Sequence, residues 1–106
     1  VNTAASIRVG DAEIVLRPYA ESDRAYVLST WERSGRSMLR GISTVRFRAA
    51  IEGIVESLPI IIACSPRSHD TILGWATGHS GKVVYAYVPM RMRGMGIGRA
   101  LIGGLP

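Results

Sequence analysis

Residues 87–101 hold the groups of this chain best suited to chemistry: Gly94, Gly96 and Gly98 at alternate positions, with Arg91, Arg93 and Arg99 around them. That combination suits a phosphate. Glycines let the backbone approach a ligand closely, a helix N-terminus turns partial positive charge toward it, and guanidinium groups match phosphate oxygens. Spacing excludes two common nucleotide motifs. The pattern G-x-G-x-x-G fails because the last position is Arg99 counted from Gly94 and Leu101 counted from Gly96. A P-loop requires Gly-Lys-Ser/Thr, and Lys82 is the single lysine of the chain. A plainer reading, a surface turn whose glycines serve geometry alone, stays open on the glycines by themselves.

The spacing that does fit is R-x-x-G-x-G, formed by Arg93, Gly96 and Gly98. It follows an apolar run ending Tyr87-Val88-Pro89 and precedes the helix-like Arg99-Ala100-Leu101-Ile102. This resembles the acetyl-CoA signature of the GCN5-related N-acetyltransferases (GNAT family). The resemblance runs from about residue 13 to the end and includes Ile72-Leu73-Gly74-Trp75, which looks like the family's second core strand. It implies an acetyl-CoA-dependent transferase in which an amine attacks the thioester directly. Arg93, Gly94, Met95, Gly96, Ile97, Gly98 and Arg99 would then cradle the coenzyme's pyrophosphate. Val88 would lie beside the pantetheine, its N–H polarising the acetyl carbonyl.

Acetyl transfer needs a neutral amine and a proton for the departing thiolate, so a base and an acid should stand nearby. Residues 71–106 contain no Asp or Glu. The candidates are His79, whose ordinary pKa suits a base, and Tyr85 and Tyr87, which alternate with Val83 and therefore share one strand face. Sheet packing for the tyrosines and a solvated turn for His79 are the plainer readings of the same positions. His69-Asp70 are two neighbours in a loop and no metal-ligand set, so no metal is expected.

Positioning these groups requires a scaffold, and the sequence predicts one of order β-α-α-β-β-β-α, an α/β (α+β type) fold with a GNAT-like mixed, largely antiparallel sheet. Residues 13–17 read as a strand stopped by Pro18. Glu21 and Asp23 open a helix to about Arg33 with Val27, Leu28 and Trp31 on one face. Residues 35–41 form a basic connection bracketed by glycines. Ser43 or Thr44 caps a second helix, in which Phe47, Ile51, Ile54, Val55 and Leu58 recur at helical spacing until Pro59. Residues 60–64 are wholly apolar and suit a central strand. A turn at 65–70 leads to a strand over 71–79, and Ser80-Gly81 makes a tight hairpin into a strand over 82–88. Residues 1–12 read as a loosely ordered lead-in.

At 106 residues with 47% apolar and 20% charged, the chain suits one folded domain and not a disordered segment. Cys64 is the sole cysteine, so no internal disulfide forms. No run reaches membrane-spanning length and no leader pattern is present, so a cytoplasmic protein without a membrane partner is expected. The net charge of +5 rests on 12 arginines and one lysine against eight acids. Arg33, Arg36, Arg40, Arg46 and Arg48 lie around the interhelical connection, away from the glycine turn. No recognition motif or aromatic stripe accompanies them, so a nucleic-acid partner is the least supported reading.

The resemblance further implies that the chain matches the N-terminal two-thirds of the family, as in a C-terminally truncated protein. The last strand would then keep an unpaired edge, covered by a partner or by a second copy in a homo-oligomer. A coenzyme-A-binding or partner-binding module without transfer activity is the principal alternative.

Overall fold

Alternation of Ile7 with Val9, then a Gly10-Asp11 turn, then the apolar Ile14-Val15-Leu16 builds the first hairpin of the computed structural model, which describes residues 4–35 and 41–106. Its strands are β1 (Ala5–Val9) and β2 (Ala12–Pro18), with Gly10 at φ +63° in the two-residue turn. This corrects the expectation of a loose lead-in for residues 5–12, because β1 pairs antiparallel with β2 from Ala5↔Leu16 to Val9↔Ala12; residues 1–3 of that segment lie outside the described residues. Three further strands complete one sheet in the order β1-β2-β3-β4-β5: β3 (Ile60–Cys64), β4 (Ile72–His79) and β5 (Lys82–Tyr87). All four neighbouring pairs are antiparallel, so the sheet is not mixed. The element order is accordingly ββααβββα.

The wholly apolar β3 occupies the centre of the sheet, as its composition requires. Ser80 and Gly81 at φ +55° and +76° give the β4–β5 hairpin the left-handed turn whose twist matches the strands. Leu16, Ala63 and Ala76 on one face form a buried cluster with Val9, Ile14 and two residues of the last helix, Ile97 and Leu101. That helix is α3 (Ile97–Gly103). On the opposite face, strand register aligns Val15 with Cys64, Ile62 with Trp75 and Ile60 with Thr77, all of them buried.

Thr77 is a polar residue at 0% exposure, and its hydroxyl donates to the Pro59 carbonyl at 2.9 Å. Replacing it with isosteric valine is expected to lower stability by about 1 kcal/mol. The Gly78 N–H also reaches that carbonyl, at 3.4 Å, which keeps the cost at the lower end. A fall in the urea midpoint with an unchanged slope checks this.

The chain packs as two compact units, residues 1–19 with 59–106, and residues 20–58. The second holds α1 (Arg24–Gly35), preceded by a short 3₁₀ turn at Glu21–Asp23, and α2 (Thr44–Ser57). Ser43 caps α2 by accepting from the Arg46 N–H at 3.2 Å, and Phe47, Ile51 and Val55 form its buried stripe. Two ion pairs join the helices, Arg48 to Glu32 at 3.1 Å and Arg24 to Glu56 at 3.3 Å, and Arg48 also pairs within α2 with Glu52 at 3.2 Å. Arg48 is thus engaged by two carboxylates instead of adding to a free basic patch. Arg36 and Arg40, and most of the predicted basic connection, lie outside the described residues.

Candidate functional site

The glycine turn is built from the end of β5 into the start of α3. Pro89 breaks the strand, and residues Met90–Met92 close a 3₁₀ turn in which the Met92 N–H donates to the Pro89 carbonyl at 2.8 Å. Arg93 Nε then reaches back and donates to the Val88 carbonyl, also at 2.8 Å. The arginine assigned from sequence to a phosphate therefore also ties the turn to its strand. Gly94 and Gly96 adopt φ +83° and +95°, the left-handed conformation that L side chains rarely take. Gly96 is the N-cap of α3, and its carbonyl accepts from the Ala100 N–H at 3.1 Å. The first-turn N–H groups of the helix, Gly98 and Arg99 among them, have no intrahelical acceptor.

Each glycine here has a distinct reason. A Cβ on Gly96 would lie 3.1 Å from Val9 Cγ1, so β1 stands against the turn. One on Gly74 of β4 would lie 2.9 Å from the Tyr87 carbonyl oxygen and 3.1 Å from Leu101 Cδ1. Gly74 thus lets β4, the end of β5 and α3 converge. Gly98 is different, because its nearest neighbour would be Val88 Cγ2 at 3.9 Å, an ordinary contact. Packing does not require glycine there.

The turn's charge is uniform. Arg91, Arg93 and Arg99 are exposed, and Asp70 is the last carboxylate in the sequence. The unit carrying the turn holds seven basic side chains against three acidic ones, whereas residues 20–58 hold six against five. The net positive charge is therefore concentrated on the turn's side of this division.

The three catalytic candidates separate. Tyr85 and Tyr87 lie on one face, their rings 5.8 Å and 6.4 Å from that of the fully buried Trp75. Val83 does not keep the alternation: Thr77 pairs with Tyr85 but Gly78 with Val83, leaving Val84 as an extra residue. Val83 instead lines a recess with Ile102 and Leu105. His79 is exposed at the hairpin tip, with Nδ1 2.9 Å from Ser80 Oγ. The length of β5 separates it from Val88 by roughly 20 Å, so it is not brought to the turn. His69 and Asp70 are exposed in the β3–β4 loop, where Arg17 Nη2 donates to the His69 carbonyl at 2.9 Å. Among the described residues no group of three or more His, Cys, Asp or Glu could hold a metal, and no helix is long and apolar enough to cross a membrane.

Val9 and Gly74 position the turn and were not among the residues singled out for it. The signal for Val9 was the Ile7/Val9 alternation before Gly10-Asp11, a hairpin pattern. Compared with protein-family models, curated proteins and solved structures, the chain has no significant match.

Proposed function

We propose that this chain is an acetyl-CoA-dependent N-acetyltransferase domain of the GNAT kind. The observation that carries the reading is an edge strand, β5, passing through two left-handed glycines into a helix start whose charged side chains are all arginine. In this reading the amides of residues 94–99, with Arg93 and Arg99, hold the pyrophosphate, and the Val88 N–H faces the thioester carbonyl. The acceptor nitrogen attacks that carbonyl and gives up a proton, the C–S bond breaks, and the departing thiolate takes up a proton, leaving the amide and free coenzyme A thiol. Tyr87, next to Val88 in the chain, is the nearest of the three candidate side chains. The surplus of glycine at Gly98 fits a ligand approaching the backbone there.

A second reading, a coenzyme-A-binding module without transfer, is favoured by one observation: the sole candidate base, His79, stands at the opposite end of β5. Turnover with a panel of amines separates the two. The nucleic-acid reading loses support from the pairing of Arg48 with Glu32 and Glu52.

Calorimetric titration with acetyl-CoA tests the cofactor. Wild type is expected to bind, and Gly98→Glu to bind at least about tenfold more weakly, a loss of about 1.4 kcal/mol or more. The melting temperature of the variant should hold or rise slightly, since a carboxylate in the first helical turn complements the dipole and the site has room for a side chain. No binding by the wild type overturns both cofactor readings. Unchanged affinity in Gly98→Glu places the ligand elsewhere. Gly96→Glu is the less informative substitution, because its positive φ and the nearby Val9 would disturb the fold as well.

A further inference from the structure

Val88 is the first residue beyond the β4–β5 ladder, whose last pair is Trp75↔Tyr87. Contacts outside the ladder orient it. Its Cγ2 lies 3.3 Å from where a Cβ on Gly74 would stand and 3.9 Å from one on Gly98, and the half-buried side chain packs against the cluster that includes Leu101. Pro89 follows, and the residue before a proline is held extended. In an extended residue the N–H and C=O leave toward the same side, so whatever grips the carbonyl also borders the N–H. Arg93 supplies the grip.

Arg93 Nε donates to the Val88 carbonyl at 2.8 Å across five residues, closing a ring around Pro89 and the 3₁₀ turn Met90–Met92. A charged donor makes this the stronger kind of hydrogen bond. Arg93 is exposed, and among the described residues its guanidinium has no carboxylate partner and no bond at either Nη. Charge pairing therefore does not account for the contact. The atom in use is the nitrogen at the ε position, and the terminal fork stays available to an anion.

We infer that Arg93 is a positioning residue for the N–H of Val88: its Nε bond fixes the Val88–Pro89 peptide, and with it the direction of the neighbouring N–H, before a thioester carbonyl arrives. This rests on the acetyl-CoA reading above and adds to it. There Arg93 serves the pyrophosphate by its charge, whereas here one atom of the same side chain serves the thioester end. The two roles differ in chemistry. Any N–H donor at the ε position satisfies the Val88 carbonyl, but the phosphate calls for the cation.

Glutamine and methionine separate the roles. Both are neutral and reach the ε position, where glutamine places an amide nitrogen with its N–H donors and methionine a methyl group. Arg93→Gln and Arg93→Met share the loss of charge, so each is expected to bind acetyl-CoA about tenfold more weakly than wild type. They should differ at the carbonyl. Infrared difference spectra at saturating acetyl-CoA, labelled with 13C at the thioester carbonyl, should show its stretch lowered from the free value in wild type and Arg93→Gln. In Arg93→Met it should return to the free value. The free protein gives a second readout, since Val88-Pro89 is the one Val-Pro bond of the sequence. Labelling with 13C-carbonyl valine and 15N-proline isolates the Val88 carbonyl resonance, expected to hold its wild-type position in Arg93→Gln and to move in Arg93→Met.

A lowered stretch that survives in Arg93→Met, or that is lost in Arg93→Gln, overturns the positioning role and leaves the acetyl-CoA reading standing. So does a Val88 resonance that stays in place in Arg93→Met. Wild type that binds acetyl-CoA with the stretch at its free value removes the Val88 N–H from the reaction, and the inference with it. No binding by wild type overturns the acetyl-CoA reading and this inference together.

Discussion

Gly78→Ala is expected to cost about 3 kcal/mol or more, a large share of the roughly 5–15 kcal/mol that holds a domain of this size together. A Cβ built there lies 2.2 Å from the Lys82 carbonyl oxygen and 2.9 Å from Val83 Cα. Both are backbone atoms, so no rotamer change relieves the overlap. The hairpin must part or the extra residue at Val84 must move, and each breaks pairing that β5 has on one side alone. Urea denaturation of Gly78→Ala beside Gly53→Ala makes the test internal. Gly53 lies within α2 with nothing within 4 Å of a new Cβ, so alanine there should stabilise by about 0.5–1 kcal/mol through helix propensity. A wild-type midpoint for Gly78→Ala would show that the bulge does not hold this geometry.

Trp75→Ala should be comparably damaging, at about 3–5 kcal/mol. Trp75 is at 0% exposure and lies opposite the equally buried Ile62 in the register. Its ring also supports Tyr85 and Tyr87. Removing it therefore leaves a cavity and strips the inner side of two rings on β5, next to Val88. Trp75→Phe keeps an aromatic surface and should lose clearly less. The reading has a spectroscopic mark: the near-UV circular dichroism of the Trp75–Tyr85–Tyr87 group should vanish in Trp75→Ala while far-UV signal persists below the melting transition. Retention of the near-UV band would locate its source at other rings.

The elements legible in the sequence were those whose pattern is local. Ser43 before a four-residue apolar repeat gave α2, the run Ile60–Cys64 gave the central strand, and Ser80-Gly81 gave the hairpin. The first strand is not legible locally, because its alternation carries just two large apolar residues, Ile7 and Val9, and its stability comes from pairing with β2. The failure of Val83 to follow the tyrosines is of another kind. Strict alternation assumes an unbroken ladder, and one extra residue at Val84 resets the faces. At the candidate site, the strand, the turn and the helix start were readable from proline, glycine and arginine. What holds them was not: the Arg93–Val88 bond, the convergence at Gly74 and the backing by Val9 are relations between side chains and distant backbone, which a linear pattern does not carry.

That backing by Val9 bears on the order in which the molecule assembles. Val9 belongs to one buried cluster with Ile97 and Leu101 although roughly 90 residues separate them, and contacts of such span form slowly because loop closure must come first. The β3–β4–β5 meander and the helical unit form from near neighbours in sequence. The glycine turn does not settle until the opening hairpin has met the closing helix, so its final shape reports completion of the whole sheet unit.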